Sequence, residues 1–194
     1  MPGPVAGAMP ESALGEGLIY EESLPVSWSA GAPAAGPALA RLNADNQQLL
    51  TAESSLGEVR VNEALKDESP ALVHELQRLE FKLNILLRLT AELAVRDRAL
   101  PAAQTLRLSS RGLEWPGEHA PPRDAVGLLS LYVNPMLPEP LRLPCTVIDE
   151  RLRDGQRVAL LRFDGLSEAV IELLEKLIFR HHRRLVAGAR HSAP

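Results

Sequence analysis

A chain of 194 residues with 45% hydrophobic and 24% charged content is long enough for one packed domain with extensions. Aromatic residues make up only 4%, so the core must be built mainly from Leu, Val and Ala. The single cysteine, Cys145, excludes an internal disulfide framework and fits a reducing compartment. A formal net charge of −4 argues against broad nucleic-acid binding. No apolar run of about 18 residues is present to insert into a membrane, and no Lys or Arg precedes Arg41 to head a secretory signal.

Charge and composition divide the chain. Residues 1–17, rich in Gly, Ala, Pro and Glu, read as a disordered leader. Residues 18–69 read as an N-terminal extension. It opens with an extended segment through Tyr20, Leu24, Val26 and Trp28 and passes an Ala/Gly/Pro linker. A helix follows over 38–56, with Leu39, Leu42, Leu49 and Leu56 on its apolar face, and Gly57 is its stop. A short helical turn is expected over 62–66.

A long helix is expected over 70–99. Ser69-Pro70 supplies an N-cap and a proline at the first helical position, and Pro101 closes it. Leu72, Leu76, Leu79, Leu83, Leu86, Thr90 and Leu93 follow one another at spacings of 4, 3, 4, 3, 4 and 3. That alternation is a heptad seam, with Leu76, Leu83 and Thr90 at a and the other four at d. An amphipathic helix can also dock on its own domain, but a docking face drifts with period 3.6, whereas this one holds the 3-4 rhythm. Leu87 and Leu89, at e and g, widen the stripe beyond what two strands use, so a homotetramer is preferred to a dimer. Phe81 and Ile85, outside the seam, are expected to pack against the N-terminal or C-terminal helix.

Beyond Pro101 the period becomes strand-like. Strands are expected at 105–108, 113–115, 126–133, 141–148 and 156–163, with Asp154-Gly155 as the hairpin turn between the last two. Five short strands joined by tight turns indicate a small antiparallel barrel. From Ser167 to about Val186 the helical period returns, with Ser167 as N-cap and Gly188 as the C-terminal stop. Residues 188–194 read as a tail.

The stretch from Leu106 to Gly112, the strand from Leu141 to Ile148, and the segment Arg157 to Arg184 with its Phe163-Asp164-Gly165-Leu166-Ser167 turn together resemble the PilZ domain. The resemblance covers residues 101–187. It implies an α+β fold: a small antiparallel PilZ-like β-barrel flanked by a long N-terminal heptad-repeat helix and a C-terminal helix. PilZ domains are bacterial receptors for cyclic di-GMP, which they grip with an RxxxR motif before the first strand and a D/N-x-S-x-x-G motif on the next. Here Ser109 and Gly112 stand at the Ser and Gly of the second motif, while its leading acceptor position is Arg107. In place of RxxxR the chain has Arg96-Asp97-Arg98. A donor facing the donors of a guanine edge works against binding by about 1–3 kcal/mol, and two missing guanidinium forks cost more. Ser109 and Gly112 also have a turn-forming explanation. RxxxR spacings recur at Arg107/Arg111, Arg153/Arg157 and Arg180/Arg184, but in so arginine-rich a chain spacing alone carries little.

Catalytic readings find no support. His74, His119, His181, His182 and His191 form no ligand spacing with Cys145, so no metal site and no cofactor is expected. The run Arg180-His181-His182-Arg183-Arg184 reads as a basic, solvated helix end. The sequence is therefore read as a non-enzymatic, PilZ-like oligomeric scaffold or signalling adaptor of the bacterial cytoplasm. Its partner would be an unknown signalling or pilus-related protein, with no nucleic acid and no membrane insertion. The alternative is a cyclic di-GMP receptor with contacts rebuilt from Arg96, Arg98, Arg107 or Arg111.

Overall fold

The computed structural model describes residue 14 and residues 18–56, 70–95, 100–135, 137 and 139–191. Six strands close into an antiparallel barrel: β1 (Tyr20–Ala30), β2 (Ala103–Leu108), β3 (Gly112–Pro116), β4 (Val126–Leu131), β5 (Leu141–Arg153) and β6 (Gln156–Phe163). Their order around the wall is β1-β2-β3-β6-β5-β4. Three helices accompany them, α1 (Gly36–Leu56), α2 (Pro70–Val95) and α3 (Glu168–His191).

Alternation builds the barrel. Along β2, β3 and β4 every second residue points inward, so that Leu106, Leu108, Leu113, Leu129 and Leu131 are almost wholly buried. Leu141, Leu143, Val147 and Leu161 complete the interior. Full burial of each such side chain contributes about 1.5–3 kcal/mol. β5 and β6 form the longest hairpin, closed by Asp154 and Gly155 at φ 52° and 77°, as a type I′ turn requires. α3 lays Val170, Leu174, Leu177 and Ile178 on the same core, the spacing of one helical face.

The segment through Tyr20, Leu24, Val26 and Trp28 is the strand that closes the barrel. Residues Tyr20–Pro25 pair with β2 and Val26–Ala30 with β4. The barrel therefore has six strands instead of the five expected after Pro101. β1 was hard to assign because Pro25 interrupts it and its ladder changes partner there.

α1 packs on α3 and β5, but its buried face is not the expected Leu39, Leu42, Leu49 and Leu56. Asn46, Leu50 and Glu53 are buried instead, while Leu39, Leu42 and Leu49 are half-buried and the side chain of Leu56 lies outside the described residues. α3 runs through Gly188 to His191, so this glycine is no stop and 188–191 continue the helix. The leader 1–17 lies outside the described residues except for Leu14, which is buried. The turn expected at 62–66 and the helix end at 96–99 also lie outside them.

Candidate functional site

The motif positions sit at the β2–β3 turn. Ser109 is buried, and its Oγ donates to the Gly112 carbonyl at 3.1 Å. The same oxygen accepts from the backbone N–H groups of Arg111 at 3.2 Å and Gly112 at 3.1 Å. Every hydrogen-bonding direction of this hydroxyl is thereby committed to the turn. At Gly112 an added Cβ would lie 2.3 Å from the Leu161 carbonyl oxygen, so glycine is needed for β3 to approach β6. Both residues are fully accounted for by the fold.

Arg107 stands directly opposite Glu114 in the β2–β3 register and donates to its Oε2 at 2.7 Å. Glu114 is buried and also accepts from Arg151 and, at 3.5 Å, from Arg153. One buried carboxylate thus holds three guanidiniums, which keeps it paired where an isolated charge would be costly. A depression of about 230 Å³ beside it is lined by Glu21, Thr105, Arg107, Arg153 and Gln156, among others. Small-molecule sites run from roughly 300 to 1,000 Å³, so it is shallow for a ligand. The sequence reading missed Glu114, although Leu113-Glu114-Trp115 places a lone carboxylate on the outer face of a strand beside an arginine.

No RxxxR pair acts as a fork among the described residues. Arg153 reaches Glu114, whereas Arg157 donates to the carbonyls of Ala120 and Pro121, each at 2.8 Å, and pairs with Glu150. That guanidinium holds the Glu150 carboxyl below the usual carboxylate range. Arg111 is exposed, and its carbonyl accepts from the Phe163 N–H at 2.8 Å. Arg180 is paired with Glu53 of α1, and the Arg184 side chain lies outside the described residues.

The basic run is therefore not a solvated helix end. Arg180 is half-buried against α1, and Tyr20 Oη lies 2.8 Å from Nδ1 of His181. Arg183 sits over the Phe179 ring at 5.8 Å. Helical continuation to His191 moves the run away from the terminal carbonyls that would have attracted it.

α1 fixes the Phe163–Ser167 turn. Asn43 Nδ2 donates to the Gly165 carbonyl at 3.0 Å and Oδ1 accepts from the Ser167 N–H at 3.0 Å. Gly165 has φ 67°, and an added Cβ would lie 2.6 Å from Leu39. Asn46 makes a matching clamp on Arg142, donating to its carbonyl at 2.8 Å and accepting from its N–H at 2.9 Å. β6 pairs with β5 only from Cys145 onward, so this amide stands in for the missing strand.

α2 is the opposite case. Leu72, Leu76, Leu79, Leu83, Leu86 and Leu93 are 44–61% exposed, and Leu87 and Leu89 are similarly open. Phe81, expected to pack on another helix, is 65% exposed, and Ile85 is half-buried. Thr90 donates its hydroxyl to the carbonyls of Leu86 and Leu87 at 3.0 and 2.9 Å, which leaves its methyl to face outward. Among the described residues α2 makes no extended contact with any other element. The described helices include none long and apolar enough to cross a membrane. Burial pushes the Cys145 thiol up to about 12, so it is a packing group. No group of His, Cys, Asp and Glu among the described residues could hold a metal ion.

Comparison with known proteins agrees with this architecture. The family model of the atypical PilZ domain, cyclic di-GMP receptor, matches residues 50–191. A solved structure from Xanthomonas campestris matches with a TM-score of 0.67 and 29% identity, over 89% of this chain and 92% of that one. It is described as a pathogenic protein with a new tetrameric PilZ domain self-assembled via an unusual helical bundle. No curated protein matches. The closed six-strand barrel with its helices is a PilZ-like α+β fold, and the chain belongs to the atypical PilZ domain family, a family of cyclic di-GMP receptors and not of enzymes.

Proposed function

We propose that this chain is a homotetrameric, non-enzymatic scaffold or signalling adaptor of the bacterial cytoplasm, assembled through α2 and acting by protein–protein contacts without binding cyclic di-GMP. The observation that carries this reading is the row of half-exposed leucines along a helix that, among the described residues, makes no extended contact with another element. Contiguous apolar surface of this kind marks an interaction site, and most of a helix's stability in a protein comes from packing its apolar face. Burying the exposed half of each leucine contributes roughly 1 kcal/mol per chain. The tetrameric helical bundle of the Xanthomonas campestris protein supports the same number of chains here. Sedimentation equilibrium should give four chain masses, and a stable monomer would refute the reading.

The motif geometry supports the loss of nucleotide binding. Arg107 occupies the acceptor position and is held by Glu114, while Ser109 and Gly112 are spent on the turn. Isothermal titration with cyclic di-GMP should show no binding tighter than about 10 μM, or roughly −7 kcal/mol. The partner is then a protein, with a signalling or pilus-related protein as the class to test.

One observation favours the receptor reading: Arg153 is half-exposed and touches Glu114 only at 3.5 Å, beside Arg107 on the same depression. Binding abolished jointly by Arg107→Gln and Arg153→Gln would establish that reading instead.

A further inference from the structure

The stripe on α2 changes width along the helix. Successive residues turn by about 100°, so the two rows beside the d leucines, at c and g, can be followed from end to end. In the first half they hold Glu75, Arg78 and Lys82. Glu75 and Arg78 form an ion pair at 3.1 Å, with both side chains more than half exposed. From Leu83 to Leu89 the same rows hold Ile85 and Leu89, with Leu87 at e on the other flank, before Glu92 returns charge to the c row. The apolar arc therefore widens from about 100° before Leu83 to about 200° over Leu83–Leu89, counting 100° per residue. A two-helix seam uses the narrower arc only.

We infer that α2 assembles through two faces. The leucine row from Leu72 to Leu93 pairs two helices along their length, and the Ile85–Leu89 face joins two such pairs through the one heptad ahead of Glu92. This rests on the tetrameric reading above. The occupant of the second face is another pair of copies of this chain. Ile85 and Leu89 are continuous with the seam leucines Leu86 and Leu93, and the Xanthomonas campestris protein reaches four chains through a helical bundle. The ion-paired first half of the same rows cannot serve this purpose, because closing it would strip water from Glu75, Arg78 and Lys82.

The test uses the full chain. Ile85→Gln with Leu89→Gln keeps helix propensity high while making the second face polar. Sedimentation velocity should show the mass fall from four chains to two, with the far-ultraviolet helical signal and the buried Trp115 fluorescence unchanged. The matching variant in the first half, Arg78→Gln with Lys82→Gln, should stay at four chains. The single Leu89→Gln change, milder than the pair, should shift the four-to-two equilibrium to higher protein concentration. A double variant that remains tetrameric means the face is covered by something other than a second pair, and one that falls to monomers means there is only one face. Either result overturns the inference. A parent protein that is not tetrameric instead refutes the assembly reading itself, so the two failures are distinguishable.

Discussion

Along α1, Leu39, Asn43, Asn46, Leu50 and Glu53 follow one another at intervals of 4, 3, 4 and 3, the same alternation that runs from Leu72 to Leu93 in α2. One face is docked on its own barrel and the other is bare. The 3-4 rhythm, taken in the sequence as the mark of an oligomer seam, is thus shared by a docking face of about the same pitch. What separates them is chemistry. α1 interrupts its leucines with two asparagines and a glutamate, each satisfied by one backbone segment or one arginine in this fold. Such groups are costly to bury anywhere else. The Leu72–Leu93 row of α2 offers only apolar side chains and one threonine whose hydroxyl is already satisfied, so it is suited to any complementary apolar face, including its own copy.

The sharpest way to break this comparison is to charge the α2 seam. Leu79→Glu with Leu83→Glu would place unpaired carboxylates in the apolar core from every chain, at several kcal/mol each. Light scattering should report monomers, while near-ultraviolet circular dichroism of the barrel is retained because, among the described residues, α2 makes no extended contact with another element. A tetramer that survives would mean α2 is not the assembly element.

The converse change in α1 should cost stability and leave assembly alone. Glu53→Ala takes the buried carboxylate away from the half-buried Arg180, and breaking a buried pair in this way costs up to about 3–5 kcal/mol. Urea unfolding should show that loss with the number of chains unchanged in native buffer. Asn46→Leu is smaller: the backbone N–H and carbonyl of Arg142 lose their partner, at about 1–3 kcal/mol, again with no change of mass. If either variant altered the mass and not the midpoint, α1 would belong to the interface.

The smallest effect serves as a control outside both helices. Arg157 lowers the pKa of the exposed Glu150 carboxyl. A carboxylate depressed in the folded state contributes stability above its unfolded value, near pH 4.3, and loses it as pH falls through the folded value. Glu150→Gln should slightly flatten the fall in stability below about pH 5, followed by urea midpoints, without touching assembly or docking. A variant that steepened the fall would mean the pair opposes folding.

Much of the fold was legible because its signals are local. The Asp154-Gly155 turn, the alternating strands after Pro101, the N-cap at Ser167 and the bare leucine row each depend on a few neighbouring residues. The extended segment of β1 was legible but its place in the barrel was not, since Pro25 breaks its pattern and its partners, β2 and β4, lie about 80 to 100 residues further along the chain. Nor was the state of the motif residues: Ser109 and Gly112 read the same whether they serve a turn or a ligand. The hydroxyl contacts of Ser109 and the approach of Leu161 show that both residues shape the turn. The Arg180–Arg184 run was misread for a related reason, because charge in a sequence does not say which side of a helix is covered.

By itself, then, the sequence determined the long apolar helix, the strand-turn pattern of a small barrel and the PilZ resemblance, all of which follow from periodicity and turn chemistry within short windows. Only the tertiary structure decided that the barrel closes with β1, that α1 docks through Asn43, Asn46 and Glu53, and that Glu114 gathers Arg107, Arg151 and Arg153. These are pairings between groups distant in the chain, and their free energy depends on desolvation and geometry that no local pattern encodes.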